Sequence, residues 1–269
     1  MSFNADIYVE RDSWLHRMDP RLKVIYVLLG IVAILLFKSV FFILFALILV
    51  HLLILSAKIP RENLSWVWKR MMPINVLIPL LFVLFYPEGP VLFQVWFLKI
   101  TPMALVRGLA LAFRLDAIAF LVFSWMFTTD QTKIVRSFVK LGLPYNGGLV
   151  IAISLRYIPT FYGTYTTVAE AQQARALDLS KGSFLQRLRQ YMPILVAMII
   201  SALRTADKLA KALESRALGF TGARRTCYRD ISFRPVDWVC LGVILVAFLA
   251  LLFVRFGLGA GVELLYPLG

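Results

Sequence analysis

Charge is scarce in this chain. Only 16% of its 269 residues are Asp, Glu, Lys or Arg, whereas 60% are hydrophobic. Soluble domains carry about a quarter charged residues, so with a mean hydropathy of +0.79 a water-soluble fold is excluded in favour of a membrane protein. Negative charge is scarcer still, with 15 Asp and Glu against 29 Lys and Arg, a net of +14. No zinc-finger or RNP pattern accompanies that excess, so no nucleic-acid partner is expected. The two cysteines, Cys227 and Cys240, are too few for a disulfide framework. The two histidines, His16 and His51, stand at no metal-ligand spacing with each other or with either cysteine, so no metal site is expected. The cytoplasmic-side segment, residues 131–234, holds no Ser/His/Asp set, paired-Asp motif or His cluster, and the chain has no GxxxxGK[ST] loop of nucleotide hydrolases. A membrane-embedded enzyme is therefore the less favoured reading, and any ATP hydrolysis is expected on another chain. Its first twenty residues are polar, with no apolar stretch before a cleavage site, so no cleaved signal peptide is expected.

Long apolar runs take the place of these features. Val24–Phe37 and Val40–Ala57 are separated only by Lys38 and Ser39 and read as a hairpin of two spans. The first is a little short for a hydrocarbon layer of about 30 Å unless Leu22 and Lys23 extend it, the lysine by snorkelling. Met71–Tyr86, with Pro73 and Pro79, reads as a third span, Met103–Thr129 as a fourth and Val236–Val254 as a fifth. Arg107, Arg114 and Asp116 lie within the fourth. Charges inside a span are functional candidates, but Arg114 and Asp116 do not share a helix face, and pairing with other spans is the expected role.

Loop charges orient these spans. Arg11, Arg17, Arg21 and Lys23 precede the first, and Lys58, Arg61, Lys69 and Arg70 follow the second, while the other side has Lys38, Lys99 and Arg255. The positive-inside rule puts the N-terminus in the cytoplasm. Five crossings then leave the C-terminus outside.

Residues 131–234 hold 16 Lys or Arg against 5 Asp or Glu, so +11 of the net charge sits in one segment on the cytoplasmic side. The segment is not a plain hydrophilic loop. TKIVRSFVKLG places Ile134, Phe138 and Leu141 at helical spacing, with Lys133, Arg136 and Lys140 elsewhere, the pattern of an interfacial amphipathic helix. Two stretches follow, separated by SKGS (Ser180–Ser183) and punctuated by Pro159 and Pro193. Each begins apolar and ends polar: one terminates in AEAQQARALDL, the other in AKALESRALGF. Such helices should lie with one end near lipid and the other in water, forming a platform with basic tips.

Aligned without gaps, the two tips pair Ala171 with Ala212, Ala174 with Ser215, Arg175 with Arg216, Ala176 with Ala217 and Leu177 with Leu218. A cation suits the negative end of a helix, and a basic residue followed by glycine, as at Gly219 or Lys181-Gly182, is ordinary helix termination. One such end would call for nothing more. Two copies, each closing the same apolar-to-polar gradient with small residues around an arginine, point to two docking ends. The guanidinium would offer a planar fork of donors to a partner's groove. Glu170, Asp207 and Glu214 are expected to balance neighbouring cations, and GARRTCYRD (Gly222–Asp230) to anchor the last span on the cytoplasmic side.

The paired signatures Ala174-Arg175-Ala176 and Ser215-Arg216-Ala217 resemble the two Ala-Arg-Gly-type signatures of the transmembrane coupling subunit, the T component, of energy-coupling factor transporters. These are ABC-type importers of vitamins and of cobalt or nickel. LHRMDPRLKVI (Leu15–Ile25) is similar to the family's approach to its first span, and LGLPYNGGLVIAISLRYIPTF (Leu141–Phe161) to the approach to its first coupling helix. The resemblance covers nearly the whole chain. Alanine in the third position of both signatures, and serine in the first position of the second, depart from the usual pattern while staying small.

This resemblance implies an all-α integral membrane protein of about five transmembrane helices, with a cytoplasmic-side coupling module of an amphipathic helix and two long Arg-tipped helices. Residues 1–129 would form the N-terminal membrane part, 130–234 the coupling module, and 235–269 the last span and tail. Ala174, Arg175, Ala176, Ser215, Arg216 and Ala217 would dock on two cytosolic ABC ATPase subunits. ATP and Mg would be bound by those partners and none by this chain. A separate membrane-embedded subunit would carry the substrate, and the assembly would sit in a prokaryotic plasma membrane. Two other readings compete. EAQQARA resembles the coupling loop of a conventional ABC permease, but Ala176 replaces its glycine, Pro193 is misplaced, and the second Arg tip has no place in it. A polytopic membrane enzyme lacks its catalytic residues.

Overall fold

In the computed structural model, residues 8–86, 93–95, 98–175, 183–219 and 233–257 are described. They form helices α1 (Trp14–Arg17), α2 (Pro20–Leu36), α3 (Val40–Ser56), α4 (Arg61–Phe85), α5 (Pro102–Thr128), α6 (Gln131–Lys140), α7 (Tyr145–Ala174), α8 (Phe184–Glu214) and α9 (Pro235–Leu252), the last running into a π-helical turn, Phe253–Gly257. The all-α expectation omits one feature. A short antiparallel ribbon of β1 (Phe93–Val95) and β2 (Leu98–Ile100), with Gln94 opposite Lys99, precedes α5.

The chain divides into two compact units. One contains α1–α6, the ribbon and α9; the other contains α7 and α8. The division falls after Leu143, so the amphipathic helix α6 groups with α2 rather than with the two long helices.

In the first unit α5 is the central helix, and α2, α3 and α4 each pack against it. Its inward stripe is narrow. Ala104, Gly108, Ala112, Asp116, Phe120 and Ser124 recur every fourth residue, and all but Gly108 are at most 1% exposed. Where lipid surrounds the helices, hydrophobicity gives them no reason to associate, and small side chains let backbones approach. Gly108 shows how close: a Cβ there would stand 2.6 Å from Cα of Pro79 on α4. The outward faces are the greasy ones. Phe41 and Phe45 on α3, Met72 and Phe85 on α4, and Val239 and Val246 on α9 are 62–67% exposed. Apolar faces on this scale are solvated by lipid rather than by water. By length and composition, Arg61–Phe85 and Pro235–Gly257 can cross a membrane, and Val40–Ser56 is a shorter apolar helix.

Helix ends follow local chemistry. Asp19 caps α2 by accepting from the Arg21 amide (2.8 Å), with Pro20 in the first turn. Thr101 caps α5 by accepting from the Ala104 amide, with Pro102 following. These pairings match the preference for a short oxygen-bearing cap and then proline. Asp237 joins two ends, its carboxylate accepting from the backbone amides of Arg234 (2.9 Å) and Asp19 (3.2 Å), which ties the start of α9 to the start of α2.

Two expectations need correcting. Residues 61–70, read as a basic loop, are the first turns of α4, so the helix begins ten residues before the expected apolar run and passes through both Pro73 and Pro79. RENLSWVWKR is made mostly of residues that a helix tolerates, and Pro60 sits at its cap. Lys23 does not snorkel. It is 1% exposed, and its Nζ donates to the Thr128 carbonyl (2.8 Å) and Thr129 Oγ1 (3.3 Å). The last carbonyls of α5 lack helical partners, and the lysine supplies one.

Two of the three intramembrane charges, Arg114 and Asp116, pair with other helices. Arg114 Nη2 donates to the Phe37 carbonyl at the end of α2 (2.7 Å), and Asp116 Oδ2 accepts from Asn75 Nδ2 of α4 (2.7 Å). His51 Nδ1 bonds the Leu47 carbonyl (2.9 Å) and its Nε2 accepts from Trp68 Nε1 (3.2 Å), beside the Phe120 ring. His51 is thus part of the helix packing.

Candidate coupling site

The second unit is built from the two longest helices of the described chain. α7 spans 30 residues and α8 spans 31, and they pack against each other. Pro159 and Pro193 lie inside them, so neither proline divides its segment. α8 starts with a capping box: the Ser183 side chain accepts from the backbone of the third helical residue, and Gln186 Oε1 accepts from the Ser183 amide (3.0 Å). The rest of SKGS lies outside the described residues, as does GARRTCYRD.

Both arginines are exposed and both stand at helix C-termini. Arg175 is the C-cap of α7, its amide donating to the Gln172 carbonyl (3.1 Å). At α8 the ending is fuller. The Leu218 amide reaches back to the Leu213 carbonyl (3.0 Å), and the Ala217 amide to the Glu214 carbonyl (2.9 Å). These two bonds form a Schellman motif, with Arg216 at the transition and Ala217 the residue that must turn left-handed. Its φ is 57°, and Gly219 follows at 101°.

Of the six sequence-derived positions, Ala174, Arg175, Ser215, Arg216 and Ala217 are all exposed, and Ala176 lies outside the described residues. Ser215 turns its hydroxyl onto the Ala212 carbonyl of its own helix (3.0 Å), so it offers a neighbour little more than an alanine would. Among the described residues neither guanidinium has an ion-pair partner, and no hydrogen bond joins one tip to the other. Each tip is a small-residue surface around a cation whose guanidinium donors have no partner among the described residues. That arrangement suits docking into an acidic or carbonyl-lined groove.

Behind the tips, the same helices carry a large apolar surface. On α8, Leu188, Met192, Leu195, Ile199 and Leu203 are 50–62% exposed; on α7, Val150 is 62% and Ile158 45% exposed. On α8 these residues recur at three- and four-residue spacing, which gathers them along one face. The signal was visible in the sequence, but its exposure was not, because a helix apolar along one face could equally pack inside a bundle.

Known proteins resemble the chain along most of its length. The family model described as CbiQ, cobalt transport protein, matches residues 11–228. The energy-coupling factor transporter transmembrane protein EcfT of Lactococcus lactis subsp. cremoris (strain MG1363) is 31% identical over 242 residues, 86% of this chain and 89% of its own. EcfT of Listeria innocua serovar 6a is 32% identical over 260 residues, covering 91% and 95% of the two chains, and EcfT of Bacillus subtilis (strain 168) is 31% identical over 259 residues, with the same coverage.

Proposed function

Because the chain belongs to the CbiQ family of cobalt transport proteins, which includes the transmembrane T components of energy-coupling factor transporters, we propose that it couples two cytosolic ABC ATPase subunits to a separate membrane-embedded substrate-binding subunit. The chain is the non-catalytic transmembrane subunit of such a transporter. The observation that carries the reading is the pair of exposed helix ends, Arg175 and Arg216, each among small residues and with no guanidinium partner among the described residues. Arg175 enters the groove of one ATPase subunit and Arg216 that of the other, with Ala174, Ala176, Ser215 and Ala217 allowing close approach. ATP and Mg act on those partners. Movement of the tips passes along α7 and α8, whose exposed apolar surface contacts the substrate-binding subunit. The cargo is a vitamin or a transition-metal ion, and the family's description favours cobalt. The chain crosses a prokaryotic plasma membrane five times from a cytoplasmic N-terminus. The inside-out burial of the first unit and the basic residues around α1 and α4 support this topology.

Co-purification of the intact complex tests the assignment. Truncating one side of a desolvated charged contact costs about 2–5 kcal/mol. Arg175→Ala combined with Arg216→Ala should therefore cut ATPase recovery and transport more than tenfold, while the chain still reaches the membrane. Undiminished recovery and transport in the double variant would overturn it.

A further inference from the structure

An apolar groove runs down the first unit between α2, α3 and α9, with Leu121 of α5 at its floor. Its volume is about 250 Å³. Its lining is almost wholly apolar, like that of the cavities of about 150 Å³ that stay dry and take up hydrocarbon. Tyr26 brings the only hydroxyl to the lining, and that hydroxyl is engaged with Ser124 Oγ at 2.5 Å. Along α2 the groove runs from Tyr26 to Phe37. At 1.5 Å per residue that is about 16 Å, close to half of a hydrocarbon layer of about 30 Å. The groove is as deep as one leaflet.

One end is strongly cationic. Lys38 follows Phe37 directly and is exposed. Arg255 Nε donates to the Leu36 carbonyl (2.9 Å), and Arg114 Nη2 donates to the Phe37 carbonyl (2.7 Å). The two arginines bring their charge to the same end of α2. Residues 24–57 and 238–257, which form the walls, contain no Asp or Glu, so no acidic side chain of theirs offsets these three cations. A groove with an apolar, leaflet-deep body and a basic mouth matches one class of molecule in its surroundings. We propose that it holds one acyl chain of an anionic phospholipid, with the phosphate against Lys38 and Arg255. A transmembrane helix is a poorer occupant, since with its side chains it is about 10 Å across and needs a far wider channel.

This inference rests on the reading of the chain as a membrane protein. The test reconstitutes the full chain into vesicles of phosphatidylcholine and phosphatidylglycerol in equal amounts, re-extracts it in mild detergent and weighs it by native mass spectrometry. The wild type should retain one phospholipid, enriched severalfold in phosphatidylglycerol. Ala33→Phe and Ala247→Phe, each filling the groove from a different helix, should reduce retention about tenfold. Lys38→Gln, at an exposed position, should keep the lipid but lose the preference for phosphatidylglycerol. Retention of no lipid by the wild type, or equal retention by it and both filled variants, would overturn the proposal. A photo-crosslinker at position 247 that captures protein instead of lipid in native membranes would overturn it as well. Wild-type chain that does not sediment with membranes at all would instead sink the membrane reading.

Discussion

Arg114 and Arg255 donate to adjacent carbonyls at the end of α2, those of Phe37 and Leu36. They come from α5 and from the turn after α9, and both act as distant caps for a helix whose last carbonyls have no partners of their own. A hydrogen bond from a charged donor contributes about 1.5–3 kcal/mol, and a carbonyl stranded in an apolar setting adds a desolvation penalty. Arg114→Met and Arg255→Met should each lower stability by about 2 kcal/mol, read as a lower midpoint of thermal unfolding in detergent. Exposed Lys38→Met should stay within about 0.5 kcal/mol of the wild type. If all three variants fall together, the capping account is wrong.

Two glycines of the first unit should respond differently to a methyl group. A Cβ at Gly108 would meet backbone, Cα of Pro79, at 2.6 Å, and a Cβ at Gly30 would meet Leu121 Cδ2 at the same distance. The leucine tip can rotate away, whereas the Pro79 backbone cannot move without shifting α4. Overpacking a tight contact costs about 1–3 kcal/mol. Gly108→Ala should therefore lower the unfolding midpoint in detergent well beyond Gly30→Ala. Equal shifts would mean that α4 and α5 are not packed at this distance.

Much of this architecture is legible in the sequence. Apolar runs locate α2, α3, α5 and α9 to within a few residues, because long uncharged segments have few alternatives to helix in lipid. The start of α4 was missed since hydropathy reports where a helix meets lipid and is silent on its polar turns. Lys23 was misread for a related reason: composition places a lysine at a boundary but does not show that Thr128 and Thr129 wait there to receive it. At the tips, repetition singled out Arg175 and Arg216. The left-handed backbone at Ala217 left no mark, because alanine is not the residue such a position normally selects.

His16 gives the N-terminal segment a pH response. Its Nδ1 pairs with Ser13 Oγ (2.7 Å) and its Nε2 with the Val9 carbonyl (3.0 Å), while the Val9 amide donates to the Phe127 carbonyl (3.0 Å). Burial holds the imidazole below its ordinary pKa of 6.5, with nearby Lys23 and Lys133 acting in the same direction against the Val9 carbonyl and Asp12. The folded chain then binds a proton less readily than the unfolded chain, so stability rises with pH between the folded and unfolded pKa values. The contribution is full above 6.5 and declines as pH falls below it. Unfolding midpoints recorded from pH 7.5 to 5.5 should drop more for the wild type than for His16→Gln, and parallel curves would refute the linkage.

The Schellman ending of α8 supplies the last prediction. Ala217 holds a left-handed conformation that places an ordinary side chain about 1 kcal/mol above glycine. Ala217→Gly should relax that end, and the Leu218 amide, bonded to the Leu213 carbonyl, should exchange its hydrogen about fivefold more slowly. Ala217→Val should speed exchange, since a β-branched residue tolerates this region least. Docking can then be separated from strain. Glycine stays small, so Ala217→Gly should leave ATPase recovery intact, while valine should reduce it both by misdirecting Arg216 and by crowding the contact. Faster exchange in the glycine variant would show that the alanine is not held left-handed in the membrane-bound chain.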